Sequence, residues 1–421
     1  MLQNFEASKD LVVLNHTPKI LFYVTRYWPA IAGASLHTRK LIQCLSSDYP
    51  VGVIRHSGDE PVIKEIAFAR NPTLTLTDGV TPIHQLGAAK QLRWLLEPLA
   101  THYPSKRWSR PLFNAMLRLS IRQQVESISR SYDIVHAVYT GMTASVRLAQ
   151  RVAKRQRKPF VLTPLIHINN PNEKVAKSLR TLFVNSDVVI AMTEIEKEWL
   201  VRQGVNRNCI HVCPYGPLIS PSVKPRQFRQ RYQLSNYPVV LFIARQIPEK
   251  GYHPLALSAQ RVWEKYPTTR FVFIGPKTED SKSFFEEIRD PRILNLGEVS
   301  DEIKSSALAA CDIFCLPSHQ ESLGVSYLEA WEFEKPVIAA NIPVMPSMIE
   351  HGKDGLIVEP VPSTIAAGIT QLLDQPALRH ELGCSGYRKV RSHYDWQQLS
   401  ARMGQIYRQL KRMQGPLTSQ E

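Results

Sequence analysis

The chain has 421 residues, 43% of them hydrophobic and 21% charged, with a formal net charge of +15. Its length suits two domains of ordinary size and its composition a soluble globular protein, and no apolar run approaches the roughly 18 residues that a membrane-spanning helix needs. A balance this positive points to an anionic partner or surface. The excess is uneven: residues 1–200 carry 26 Lys+Arg against 15 Asp+Glu, an excess of 11, which leaves 4 for the rest.

Residues 1–17 show no clear period and read as a loose leader without a secretory pattern. Lys19–Thr25 reads as a first buried strand; the loop after it ends in Gly33-Ala34-Ser35, and an amphipathic helix follows over Leu36–Ser46. Small residues between a strand and a helix let a ligand approach the carboxyl end of a sheet. Val51–Ile54 is a second strand, and residues 56–85 are mixed, with a strand at Thr73–Leu76. From Gln85 to Glu126 the pattern is helical and basic, with a break at Pro104. Leu86–Lys158 holds 14 Lys+Arg against 3 Asp+Glu, interleaved with Trp94, Tyr103, Trp108 and Phe113. Two readings stand for this stretch: a face for an anionic membrane, or helices with a solvated basic side.

Strands and helices then alternate. Strands are expected at 133–138, 159–164, 187–192 and 209–213, with helices at 142–155, 173–185 and 194–203. The loop after the second of these strands carries His167, Asn169 and Asn170. Pro214-Tyr215-Gly216-Pro217, with Pro221 and Pro225 close behind, reads as a domain linker. Beyond it, strands at 239–244, 271–275, 293–296, 312–316, 337–340 and 355–358 alternate with helices, and helical patterns at 363–373, 376–392 and 396–412 close the chain. This order predicts an α/β fold of two Rossmann-like domains, residues 1–215 and 216–395, whose parallel sheets are covered on both faces.

The six cysteines are Cys44, Cys209, Cys213, Cys311, Cys315 and Cys384. They read as buried, reduced thiols of a cytoplasmic protein. His211, between Cys209 and Cys213, would face the other side of a strand, which argues against a metal site there.

The stretch Glu321-Ser322-Leu323-Gly324-Val325-Ser326-Tyr327-Leu328-Glu329 follows an apolar strand and a polar turn. A helix over 322–333 would leave the N–H groups near Leu323 to Val325 free to meet a phosphate, and Gly324 would let it come close. On one helix the two glutamates would be about 12 Å apart in rise, too far for an acid/base pair across one bond. They suit the two ends of an elongated ligand with a phosphate in its middle, such as a nucleotide sugar. The alternative is a helix with one capping and one solvated glutamate. Arg245 and Lys250 lie just beyond the strand 239–244, where two cations suit a diphosphate.

Gly216, Arg245, Lys250-Gly251, Gly275, Leu296-Gly297, Asp312, Glu321 through Glu329, Lys335-Pro336-Val337-Ile338-Ala339, Gly352-Lys353-Asp354-Gly355-Leu356, Asp395-Trp396 and Ile406-Tyr407 occur in this order. The set resembles the retaining glycosyltransferases of family 4 over about residues 18–412. The resemblance implies a GT-B architecture with a catalytic cleft between the domains, and a helix at about 396–412 that crosses back to complete the first domain. It implies that Arg245 and Lys250 hold the donor diphosphate with the backbone of Ser322, Leu323, Gly324 and Val325. It assigns the sugar hydroxyls near the reaction centre to Glu321, the ribose to Glu329, a phosphate approach to Gly33, and a place facing the sugar to His167. Where the family often has Gly-Gly this chain has Gly33-Ala34, which narrows that loop. The implied reaction retains the anomeric configuration and needs neither metal nor cofactor, since there is no Asp-x-Asp run in a suitable loop. The expected partners are a UDP- or GDP-sugar, a glycan or lipid-linked acceptor and an anionic membrane met through 86–158 at the cytoplasmic face. Nucleic acid is not among them, because the basic segment lacks a recognised module. An epimerase or phosphorylase-like enzyme of the same architecture, or a non-catalytic basic protein that binds lipid or nucleic acid, remain the alternatives; Arg245, Lys250, Glu321 and Glu329 speak against the non-catalytic one.

Overall fold

Eight runs, most of them rich in branched apolar residues, pair into the first sheet: β1 (Ile20–Arg26), β2 (Val51–Ser57), β3 (Leu74–Asp78), β4 (Thr81–Gln85), β5 (Ile134–Val138), β6 (Phe160–Thr163), β7 (Val188–Ala191) and β8 (Ile210–Val212). This computed structural model describes residues 17–29, 33–57, 64–139, 141–168 and 174–413; the expected leader at 1–16 and the loop residues Asn169 and Asn170 lie outside them. The spatial order is β3-β4-β2-β1-β5-β6-β7-β8, parallel throughout except for the β3–β4 hairpin. Six strands form the second sheet, all parallel: β9 (Val239–Ile243), β10 (Arg270–Ile274), β11 (Ile293–Gly297), β12 (Ile313–Leu316), β13 (Val337–Ala340) and β14 (Gly355–Val358), ordered β11-β10-β9-β12-β13-β14.

The period-2 alternation of β1 divides the first domain's core in two. Ile20, Phe22 and Val24 face a core that continues through Tyr49, Tyr215 and Tyr407 into the second domain. Leu21 and Tyr23 face a separate core with Phe113, Leu117 and Trp199. The order of strands reverses beside β1 in one sheet and between β9 and β12 in the other. Loops after these strands diverge, and the crevice they leave is where open α/β sheets bind ligands.

The helix Trp396–Arg412 returns to the first domain. Its Tyr407 hydroxyl is hydrogen-bonded to His136 Nδ1 at 2.6 Å, Lys411 pairs with Asp133 at 2.6 Å, and Leu399 O accepts from the Cys213 thiol. Asp395 caps the helix by accepting from the N–H groups of Gln397 and Gln398. At its start Trp396 Nε1 donates to Pro217 O at 2.7 Å. A Cβ at Gly216 would lie 2.5 Å from Tyr394 O, so the outgoing and returning chains run side by side.

Several local expectations are corrected. β4 was not foreseen: it holds Pro82 at an edge hairpin, and of its buried positions Thr81, Ile83 and Gln85 two are polar. The first helix starts three residues early, at Gly33. Pro225 opens a helix, Pro225–Arg231, at the position where a missing N–H costs nothing. Cys209 ends a 3₁₀ turn instead of lying in a strand, and Cys44, Cys209 and Cys384 are only partly buried. The basic segment forms the helices Arg93–His102 and Ser109–Ser129, on which Trp94 is 72% and Leu119 62% exposed, and Trp108, just before the second, is 57% exposed. Among the described residues no helix is long and apolar enough to cross a membrane.

Candidate active site

Two loops at the reversal point of the second sheet are zipped together by backbone. The loop after β9 turns at Gly251 with φ +76°, and a Cβ there would stand 2.1 Å from Pro317 O in the loop after β12. His319 N donates to Glu249 O at 2.7 Å, and the Ser318 hydroxyl donates across the same seam. This contact carries Lys250 onto Glu321. Its ammonium lies 2.7 Å from Glu321 Oε1 and 2.8 Å from Gln320 O, and both side chains are largely buried. Arg245, on the same loop, is exposed and its guanidinium has no partner among the described residues.

The helix expected at 322–333 is shorter, Val325–Trp331, and Gly324 at φ +76° is its cap. A Cβ on Gly324 would strike the Tyr327 ring, whose hydroxyl is tied to Leu316 O at 2.5 Å. Glu321, Ser322 and Leu323 therefore form a loop, and the two glutamates do not share a helix. The N–H groups of Leu323, Gly324 and Val325 have no acceptor among the described residues. Such groups favour an anion.

Glu329 is on the helix and 3% exposed. Its Oε1 accepts from Lys304 Nζ at 2.8 Å and from Leu218 N at 3.3 Å. Burial pushes its carboxyl pKa up, while the Lys304 charge and hydrogen bond pull it back. Leu218 belongs to the chain just after the domain linker, so this carboxylate touches the hinge.

His167 approaches from the first domain. Desolvation and the Lys250 charge lower its imidazole pKa, while Glu321 and a hydrogen bond with Gln320 raise it. The structure thus brings His167, Gln320, Lys250 and Glu321 together across the cleft. The loop bearing His167 is held from beneath by Glu196, which is 1% exposed and accepts from Met192 N at 2.6 Å and Ile166 N at 3.4 Å. Burial raises the Glu196 pKa to about 7. Gly33 is exposed, with nothing among the described residues within 4 Å of an added Cβ. Its carbonyl is bonded to His37 Nδ1 at 2.7 Å, and His37 is held at a pKa of about 4 by burial, with Lys304 lowering it further. The Gly33 helix therefore lies beside the Glu329–Lys304 end of the cleft.

Two cavities lie away from these groups. One of about 690 Å³ sits at the amino ends of β6 and β7, lined by Phe160, His211 and Leu410; another of about 540 Å³ lies at the hinge beside Trp396. Neither is lined by Lys250, Glu321 or His167.

Residues 31–216 match the family model described as Glycosyltransferase Family 4, and residues 224–389 match that described as Glycosyl transferases group 1. The chain belongs to the family 4 glycosyltransferases. It is 27% identical over 189 residues to alpha-D-kanosaminyltransferase of Streptomyces kanamyceticus, covering 44% of this chain and 49% of that one. It is 26% identical over 194 residues to the GDP-mannose-dependent alpha-(1-6)-phosphatidylinositol monomannoside mannosyltransferase of Mycobacterium tuberculosis, covering 43% and 50%. The chain thus spans about half the length of these curated relatives. The crystal structure of Anabaena HepE in complex with UDP superposes with a TM-score of 0.70 at 18% identity, over 92% of this chain and 99% of that one. The shared fold is GT-B.

Within this glycosyltransferase, sequence reading missed Lys304, Gln320 and Glu196. Lys304 is one lysine on an ordinary amphipathic helix, and only the packing of Asp301–Ala310 against Val325–Trp331 gives it a partner. Glu196 did carry a local signal: Thr193 three residues before it is a helix cap that accepts from Glu196 N.

Proposed function

We propose that this glycosyltransferase moves a sugar, with retention and without a metal, from a nucleoside diphosphate donor to a glycan or lipid-linked acceptor. The observation that carries the reading is the Lys250–Glu321 pair lying under His167, between the two reversal points. An incoming diphosphate draws Lys250 toward itself, beside Arg245 and the free N–H groups of Leu323 to Val325. These groups stabilise the charge that builds on the leaving diphosphate. Glu321, released from Lys250, accepts from sugar hydroxyls. His167, neutral near pH 7 because its pKa is lowered, can bond a further hydroxyl of the sugar. Glu329, already fixed by Lys304, offers its second oxygen to the ribose, and the Gly33 helix start borders the phosphates.

The UDP in the HepE crystals and the GDP-mannose of the mycobacterial relative's name support a UDP- or GDP-sugar donor. The phosphatidylinositol acceptor in that name supports a lipid-linked acceptor, and the transferase names favour transfer over epimerisation. Exposed Trp94, Trp108 and Leu119, in the same basic segment as Lys106, Arg107 and Arg110, support attachment to an anionic membrane at the cytoplasmic face.

The test is calorimetric binding of UDP-, GDP- and ADP-sugars, then transfer from the donor that binds to candidate acceptors in EDTA, with the product anomer read by NMR. One donor should bind and its anomer be kept. An inverted product, or turnover lost in EDTA and restored by a divalent ion, would overturn retention or metal independence respectively.

A further inference from the structure

In the second domain, the helix Pro376–His393 packs against the turn that ends Val325–Trp331. The approach is unusually close because two glycines face the turn: a Cβ on Gly383 would lie 1.9 Å from Glu334 O, and one on Gly386 would run into the Trp331 ring. Glu334 itself takes a left-handed conformation at φ +54°. This packing sets the Glu334 carboxylate over His380 and Cys384, which are one helical turn apart and on one face. Their donor atoms all lie within 4.8 Å of one another, and among the described residues no other three His, Cys, Asp or Glu side chains group so closely.

We propose that Glu334, His380 and Cys384 form a zinc-binding site. Zinc bonds of about 2.0–2.1 Å to imidazole nitrogen and about 2.3 Å to thiolate sulfur, at a tetrahedral angle, put those two atoms about 3.5 Å apart. Cys384 Sγ lies 3.5 Å from His380 Nε2 and 3.6 Å from Nδ1. The Glu334 carboxylate has no other partner among the described residues, and being exposed it is free to rotate the remaining distance. Water fills the fourth position. A thiolate–imidazole–carboxylate set selects a borderline-soft ion over magnesium or calcium. Binding turns the Cys384 thiol into a thiolate and releases its proton to solvent. The ion would clamp the helix Pro376–His393 to the turn behind the helix that carries Glu329, away from the transferred sugar.

Cobalt(II) is the probe. One equivalent added to the metal-free full-length protein should give a thiolate-to-cobalt charge-transfer band in the near ultraviolet and tetrahedral d–d bands, both displaced by zinc. Zinc should raise the thermal midpoint and release about one proton per ion near pH 7. Cys384→Ala and His380→Ala should each abolish the bands and the zinc-dependent shift while unfolding at the metal-free wild-type midpoint; Cys44→Ala, at the other half-exposed helical thiol, should keep both. Absence of a charge-transfer band in the wild type, or its persistence in Cys384→Ala, would overturn the assignment. Neither readout depends on donor or acceptor.

Discussion

The Lys304 ammonium meets the Glu329 carboxylate at 2.8 Å, joining two helices of the second domain where Glu329 is 3% exposed. A carboxylate this deep is tolerated because the cation and the Leu218 N–H satisfy it. Lys304→Met removes the cation and leaves the charge buried, which costs about 3–5 kcal/mol. Urea unfolding should show this loss, and adding Glu329→Gln should recover part of it, because a neutral amide needs no counter-charge. A single variant as stable as the wild type would mean that the pair contributes nothing.

Arg245→Ala and Lys250→Ala should each weaken nucleoside diphosphate binding by about 1.5–3 kcal/mol, roughly 10- to 150-fold in Kd. The two differ in stability. Arg245 is exposed and has no partner among the described residues, so its loss should move unfolding by less than about 0.5 kcal/mol. Lys250 leaves Glu321 without a counter-ion in a part-buried place, so its loss should also destabilise. Calorimetry with unchanged diphosphate affinity in both variants would rule out the diphosphate site.

Glu196 should make stability depend on pH. Its folded pKa of about 7 stands above the ordinary 4.5, so between those values the folded chain keeps a proton that the unfolded chain has lost. Its contribution is complete below about pH 4.5 and is lost as pH rises through about 7, in total about 3 kcal/mol. Glu196→Gln should flatten that part of the profile. Because Glu196 holds Ile166 N, the variant should also disturb the loop bearing His167. Unfolding midpoints across this range give the answer, and identical slopes in the two proteins would exclude Glu196 as the source.

Replacing Lys106, Arg107 and Arg110 with Gln should reduce sedimentation with anionic vesicles and leave donor affinity unchanged. Each basic residue near such a surface contributes about 1 kcal/mol. Binding by the wild type should fade with salt, as the Debye length falls from about 10 Å at 0.1 M to about 3 Å at 1 M. Equal partitioning to neutral and anionic lipid would make this face an ordinary solvated one.

The parallel strands were legible because burial on both faces leaves continuous apolar runs, as in Ile20–Thr25 and Val239–Ile243. Arg245, Lys250 and Glu321 were legible as polar residues just beyond such runs. What could not be read was which of them touch. Lys250 and Glu321 are 71 positions apart, and their pairing depends on Gly251 admitting Pro317 O, a matter of backbone shape. The helix start was misplaced for a related reason: Leu323 has the right spacing and is buried, but Gly324 turns left-handed after it.

The paired crossings at Gly216 and Trp396 restrict how the cleft can open. Two separate tethers would let one domain slide or swivel on the other, whereas two chains lying against each other and joined from Trp396 to Pro217 act as one door hinge. Opening about that hinge would swing His167 away from Gln320 along a single arc, while Leu218 and Glu329, both in the second domain, stay together. With the donor placed as proposed, that gap would be widest at its sugar end and narrowest at its ribose.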